Sequence, residues 1–205
     1  MSRSRRHLIL FGLNGLALFA GLLVLPYSDA SERISVASAW ICMGLLTAAL
    51  LIGPLRRARG EAAPANIYLR RDLAVWSALQ GFVHFYAGSV VSMNQVYIQA
   101  FVHTELPPWS VEVRDQMFSW GASLGFLAGL IYLVLLVISS DRAIRLFNPG
   151  RWKKVQKSAH LLLWLTVIHG LVFQLLEARY VPLVLLLLVT VGIFILQYRG
   201  RRKAG

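Results

Sequence analysis

Two stretches of the sequence decide the fold, RRDLAVWSALQGFVH (Arg70–His84) and KSAHLLLWLTVIH (Lys157–His169). Each begins at basic residues, continues as an apolar segment, and carries a histidine 13 residues after Arg71 or 12 residues after Lys157. A helix rises about 1.5 Å per residue, so each histidine lies about 18–20 Å beyond its basic end. Ionisable side chains deep in an apolar helix are costly and usually functional, so we predict that both histidines belong to a functional site. The alternative is that each makes only an interhelical hydrogen bond.

The composition indicates the class of protein. Of the 205 residues, 57% are hydrophobic and only 15% are charged, which is typical of a polytopic membrane protein. The single cysteine, Cys42, excludes an intrachain disulfide and any cysteine-based metal or thiol motif. The net charge of +12 comes from short basic clusters between apolar segments, so it favours membrane topology and lipid contact over nucleic-acid binding.

Six apolar segments are long enough to cross a bilayer. We therefore predict an all-α, six-transmembrane-helix bundle that forms a single domain over residues 1–205. The predicted spans are approximately residues 8–25, 34–55, 73–96, 118–138, 155–176 and 181–197. The first follows three arginines and precedes Ser28-Asp29-Ala30, as in a secretory signal, but its apolar length of about 18 residues favours a retained span. Cleavage would leave five spans with the same orientation.

The basic residues predict the orientation of the chain. When the segments that connect the spans are assigned alternately to the two sides of the membrane, 18 of the 21 Lys and Arg residues fall on one side. The other side holds only Arg33, Arg114 and Arg179. Lys and Arg accumulate in cytoplasmic segments, so both termini are predicted to be cytoplasmic.

The third and fifth spans run in parallel, so the depths of their histidines can be compared. His84 and His169 agree in depth within one helical turn. Two facing imidazoles at one depth can hold a haem iron from both sides, each through a neutral ring nitrogen. Gly81 and Gly170, with Gly88 nearby, would leave room for the macrocycle, although close helix packing explains such glycines equally well.

Three other histidines have weaker arguments. His160 precedes His169 by nine residues and so lies on the opposite helix face, close to the cytoplasmic boundary. We expect it to contact headgroups, a quinone or a partner. His103, in the outer loop, is a candidate for contact with a substrate or a haem propionate, and Trp109 and Arg179 on the same side are candidates for contact with a propionate. His7 has no predicted role.

The order of several short motifs extends this prediction to a family. GPLRR (Gly53–Arg57) ends the second span, RRDL (Arg70–Leu73) opens the third, and WKKVQ (Trp152–Gln156) leads to His169. Over roughly residues 40–180 the sequence resembles the ferric reductase-like transmembrane domain family. That family includes the haem subunit of the bacterial periplasmic methionine sulfoxide reductase system and, more distantly, NADPH oxidases and metalloreductases. The resemblance places the chain in a bacterial inner membrane.

The resemblance implies one haem b, held by His84 and His169. Family members with two haems carry a second histidine about 13 residues before the one matched by His169, where this chain has Gln156. They also carry an inner histidine on the third span, where this chain has the region of Arg70 and Arg71. Both ligands of an inner haem are therefore replaced, which departs from the methionine sulfoxide reductase subunit.

The resemblance also implies electron transfer toward an acceptor protein or small molecule on the outer side. The sequence has no Gly-rich dinucleotide fingerprint, so the donor would be a quinol or a separate reductase or flavoprotein. We therefore expect an oxidoreductase membrane subunit. Two alternatives stay open: a small transporter with a polar path along Gln80, His84, Asn94 and Gln95, and a non-catalytic membrane anchor whose histidines only join helices.

Overall fold

The computed structural model describes residues 2–60, 67–101, 111–140 and 149–202. Within these ranges the regular secondary structure is α-helical throughout, which confirms the all-α prediction for the described residues. The helices are α1 (Arg3–Val24), α2 (Ala30–Ala58), α3 (Ile67–Phe101), α4 (Val111–Ile138), α5 (Pro149–Gln156), α6 (Ser158–Leu176) and α7 (Tyr180–Arg202). The predicted roles of His103 and Trp109 fall outside the described residues.

Apolar helices of membrane-spanning length support the prediction of an integral membrane protein. Among the described residues, five helical segments are both long enough and apolar enough to cross a membrane: Arg3–Val24, Ala30–Ala58, Glu112–Ile138, Lys154–Leu176 and Tyr180–Gly200. Helix α3 is not one of the five, although it has 35 residues. Polar residues such as Gln80 and His84 interrupt its apolar sequence. The predicted total of six spans therefore depends on whether α3 also crosses the membrane.

The chain forms two compact units. The first comprises Met1–Leu46 and Arg71–Glu105, and the second comprises Thr47–Arg70 and Leu106–Gly205. The first unit thus holds α1, the beginning of α2 and most of α3, whereas the second holds the end of α2 and helices α4 to α7. Each unit contains one of the two predicted ligands, His84 in the first and His169 in the second.

Small side chains hold the helices of the first unit together. A Cβ atom at Gly21 of α1 would lie 2.6 Å from the Cβ of Ala37 on α2, so only glycine permits this helix approach. Between α2 and α3, the Ser77 hydroxyl donates to the Cys42 carbonyl oxygen at 2.8 Å. Close packing and interhelical hydrogen bonds are what join helices in an apolar environment, where burial alone provides little preference.

A buried carboxylate fixes the start of α1 on the start of α3. Asp72 is fully buried, and its Oδ2 accepts a hydrogen bond from the Nε of Arg6 at 2.7 Å. The Nε2 of His7 lies 3.4 Å from Oδ1, and the Nε of Arg3 lies 3.8 Å from the same oxygen. Trp76 donates its indole N–H to the Nδ1 of His7 at 3.1 Å. His7, which had no predicted role, is thus part of a polar cluster between two helices.

We expect Asp72→Ala to lower the free energy of unfolding by about 3–5 kcal/mol, because removing one partner of a buried ion pair leaves the other charge uncompensated. Arg6, whose side chain is 15% exposed, would be that charge. The measurement is thermal or denaturant unfolding of the detergent-purified protein. Asp115→Ala, which removes an exposed carboxylate, is the control and should cost less than about 1 kcal/mol. Equal losses in the two variants would contradict the role given to Asp72.

Candidate functional site

His84 lies on α3 and is hydrogen bonded to α2 within the first unit. Its Nδ1 is 2.9 Å from the backbone carbonyl oxygen of Ser35 and 3.2 Å from the Ser35 hydroxyl. A carbonyl oxygen can only accept, so Nδ1 carries the proton and donates. In the neutral ring the lone pair is then at Nε2, and this is the nitrogen through which the ring would ligate a metal. The ring is half-buried and Ser35 is buried, so this bond is partly shielded from the surroundings.

His169 has the same arrangement within the second unit. It lies on α6, and its Nδ1 is 2.8 Å from the backbone carbonyl oxygen of Gly121 on α4. Because this carbonyl oxygen can only accept, Nδ1 is the donor and the lone pair of the neutral ring is at Nε2. The ring of Phe173, one turn further along α6, has its centroid 4.9 Å from that of His169. Phe173 in turn meets Phe118 of α4 edge to face at 5.7 Å, which adds to the packing of α4 against α6.

Glycines on α4 make the position of the His169 ring possible. A Cβ atom at Gly125 would lie 2.6 Å from Cε1 and 2.7 Å from Nδ1 of His169. A Cβ at Gly121 would lie 2.8 Å from a ring carbon of Phe173. By contrast, a Cβ at Gly129 would have no neighbouring atom within 4 Å. Gly125 therefore leaves the space in which the imidazole lies, Gly121 leaves the space for Phe173, and Gly129 does neither.

The sequence prediction omitted these two glycines, although a signal for them is present. Gly121, Gly125 and Gly129 recur every four residues in an apolar helix, which places them on one face. Such a spacing of small residues is typical of helix pairs that approach closely in membranes. It would have indicated that this face of α4 packs closely against another helix.

The predicted glycines beside the histidines have different surroundings. Gly170 lies where α6 meets α7, and a Cβ there would come 3.0 Å from a methyl group of Leu186. This contact accounts for Gly170 by helix packing. Gly88 is less constrained, since its Cβ would lie 3.4 Å from the Ser35 hydroxyl. Gly81 is half-buried on α3, three residues before His84. A role for Gly81 or Gly170 in haem binding stays a prediction.

The remaining predicted positions lie apart from these hydrogen bonds. His160 is exposed at the start of α6 and lines a cavity of the second unit. Arg179 lies in the turn between α6 and α7, where its backbone N–H donates to the Gln174 carbonyl oxygen at 2.8 Å. Gln80, one turn before His84 on α3, is 7% exposed, and its side-chain oxygen has no hydrogen-bond partner in the part of the chain that the structure describes.

A haem and a bare metal ion need different numbers of protein ligands. In the described ranges, no group of three or more His, Cys, Asp or Glu side chains is placed to hold a metal. A haem iron needs only two axial ligands, because the macrocycle supplies the others. Each unit offers one imidazole whose Nδ1 is held by a backbone carbonyl, and metal-ligating histidines commonly use their second nitrogen in this way. Each imidazole by itself therefore has the hydrogen bond that a haem ligand would use, and their service to one haem stays a prediction.

The fold and these histidines define a class: a protein of α-helices long and apolar enough to cross a membrane, with two carbonyl-anchored histidines inside its helices. No protein-family model and no curated protein matches the sequence. The relation to the ferric reductase-like family therefore stays a prediction carried by the motifs alone.

Proposed function

We propose that this chain is a haem b-containing membrane protein that transfers electrons, with His84 and His169 as the two axial ligands of one haem. The observation that carries the proposal is the shared hydrogen bond of the two rings. Both donate Nδ1–H to a backbone carbonyl of another helix, at 2.9 Å and 2.8 Å. Two histidines that are unrelated in sequence thus present the same tautomer.

The hydrogen bonds prepare the imidazoles for this role in two ways. Each fixes the orientation of its ring, so less rotamer freedom is lost on ligation. Each also raises the electron density at Nε2, which would strengthen a bond from this nitrogen to a haem iron. Backbone carbonyls on packed helices are rigid acceptors, and the close approach of α4 to the His169 ring adds a steric restraint. When bound, a haem supplies one-electron chemistry that these side chains cannot perform themselves.

The proposed topology places six spans in a bacterial inner membrane, with α3 as the additional span and both termini cytoplasmic. It is supported by the 18 basic residues assigned to one side against three on the other. Counted from their basic ends, both histidines would lie somewhat outward of the bilayer centre. This depth suits electron transfer from a quinol, or from a reductase or flavoprotein, to an acceptor on the outer side.

A transporter with a polar pathway along α3 is a second candidate function, because α3 carries the buried polar side chain of Gln80. Its buried side-chain oxygen lacks a hydrogen-bond partner among the described residues, and it lies one helical turn from His84. A buried unsatisfied acceptor costs about 1–3 kcal/mol, so such groups call for an explanation such as a transported solute or water. This transporter function requires no chromophore. A membrane anchor would likewise need none, and its histidine bonds would contribute about 1 kcal/mol each.

Reduction by a quinol separates these functions. The full chain is expressed with adequate haem supply, purified in detergent, and mixed anaerobically with decylubiquinol or, separately, with NADH and a flavin reductase. We expect the visible spectrum to change from oxidised to reduced b haem with at least one of the two donors. The double variant His84→Ala/His169→Ala should show no such change. A wild-type protein without a chromophore would favour the transporter or the anchor.

A further inference from the structure

A cavity within the second unit collects positive charge. Its volume is about 220 Å³, and its lining includes Arg57 from the end of α2, Arg70 from the start of α3, His160 from the start of α6 and Gln197 from the end of α7. At Gly200 an added Cβ would lie 2.7 Å from the Pro54 carbonyl oxygen, so α7 meets α2 through close backbone contact. Substitution at Gly200 would therefore require a shift of the backbone that forms the cavity.

Arg57 and Arg70 both line this cavity. Arg70 donates its Nε–H to the Ala49 carbonyl oxygen at 3.1 Å, which fixes its guanidinium. Burial, and next the nearby Arg57 cation, lower the pKa of Arg70. No Asp or Glu among the described residues lines the cavity. An anion between the two guanidinium groups would relieve their repulsion.

Gln197 independently indicates a ligand with acceptor atoms. The residue is only 7% exposed, and its Nε2, a donor, has no hydrogen-bond partner in the described ranges. Leaving a buried donor unsatisfied costs about 1–3 kcal/mol. An anionic oxygen in the cavity would accept from this amide as well as from the arginines. The guanidinium fork matches phosphate oxygens in particular.

The position of the cavity along the helices points to the source of the phosphate. Arg57 lies one residue before the end of the apolar segment Ala30–Ala58, and Gly200 ends the segment Tyr180–Gly200. These ends correspond to the headgroup region of a bilayer, where basic pockets between helices bind anionic lipids. Arg57 and His160 are exposed, so the cavity is open to the surroundings. The cavity has the volume that about seven water molecules occupy in the liquid, which is enough for a phosphate and part of a glycerol group.

We propose that this cavity binds the phosphate group of an anionic phospholipid such as phosphatidylglycerol. The acyl chains stay in the bilayer, while Arg57, Arg70 and Gln197 bind the phosphate oxygens. The site is formed within the second unit and involves neither His84 nor His169. The proposal therefore does not depend on the haem.

The test is native mass spectrometry of the detergent-purified full chain titrated with palmitoyl-oleoyl phosphatidylglycerol or phosphatidylcholine. We expect one phosphatidylglycerol to bind in preference to phosphatidylcholine. The double variant Arg57→Gln/Arg70→Gln should weaken this binding by about 25-fold, because the loss of each cation weakens binding about fivefold. The control Arg59→Gln/Arg199→Gln removes two exposed arginines outside the cavity lining and should change affinity by less than about twofold.

Two further variants keep the test decisive if the double glutamine variant does not fold. Arg57→Lys/Arg70→Lys retains both charges and should retain most of the binding, and Gln197→Leu should weaken it through loss of the amide donor. Equal loss in the control and cavity variants would overturn the proposal, since surface charge alone would then attract the lipid. Equal binding of phosphatidylcholine would also overturn it. Displacement of phosphatidylglycerol by excess inorganic phosphate would assign the cavity to a soluble anion instead.

Discussion

His169→Ala and His84→Ala are each expected to abolish the binding of haem b or convert it to a high-spin, weakly held form. Either change removes one of the two proposed axial ligands and would leave the haem with a single histidine. The measurement is the visible spectrum and haem content of each purified variant. His160→Ala is the matched control, because His160 shares α6 with His169 but is exposed and lines the separate cavity. Its spectrum should resemble that of the wild-type protein.

Imidazole distinguishes a lost ligand from a damaged fold. An alanine in place of a ligand leaves space where free imidazole can bind, so adding imidazole to His169→Ala should restore low-spin absorbance. A variant that had merely misfolded would not recover, and circular dichroism would show lost helix. If His160→Ala abolishes the haem and His169→Ala does not, the ligand assignment is wrong.

Gly125→Ala should disturb the same site without touching a proposed ligand. The new methyl group would lie 2.6 Å from Cε1 of His169, so the ring must move and its hydrogen bond to Gly121 must lengthen. Overpacking of this kind costs about 1–3 kcal/mol. We expect a large loss of haem, or a shift of its spectrum from low toward high spin. Visible absorbance and electron paramagnetic resonance of the purified variant measure this effect.

Gly129→Ala is the control for Gly125→Ala. It makes the same substitution one turn further along α4, where the added Cβ meets no atom within 4 Å. Haem content and spectrum should match the wild-type protein. Thermal unfolding of the haem-free proteins adds a second measurement, in which only Gly125→Ala should lower the midpoint. Equal behaviour of the two variants in both measurements would contradict the contact between α4 and His169.

Hydropathy predicts the helices well but not their ends. The first span was predicted from residue 8, whereas α1 begins at Arg3. The Ser2 hydroxyl caps this start by accepting from the Arg5 N–H, and Arg3 and Arg6 pair with Asp72 of α3. The fifth span was predicted to be continuous from residue 155. The structure instead ends α5 at Gln156 and starts α6 at Ser158, with backbone bonds from Lys157 to Lys154 and from His160 to Lys157. A break of one residue leaves mean hydropathy almost unchanged, so no sequence average detects it.

The candidate ligands were predictable, but their partners were not. Distance from a basic cluster and position in an apolar segment single out His84 and His169 from the sequence alone. Their acceptors, the carbonyl oxygens of Ser35 and Gly121, belong to helices about 50 residues away in the chain. Every residue has a carbonyl oxygen, so composition and spacing carry no signal for such a partner. The glycine spacing on α4 is the exception, because it marks the face that packs closely.

The pyridine haemochrome assay on the detergent-purified wild-type chain, expressed with adequate haem supply, tests the central claim most directly. It identifies the haem type and, with a protein determination, the number of haems per chain. We expect b haem at about one per chain, because two axial histidines hold one haem. A chain that folds normally and binds no haem would contradict the assignment of His84 and His169 as haem ligands.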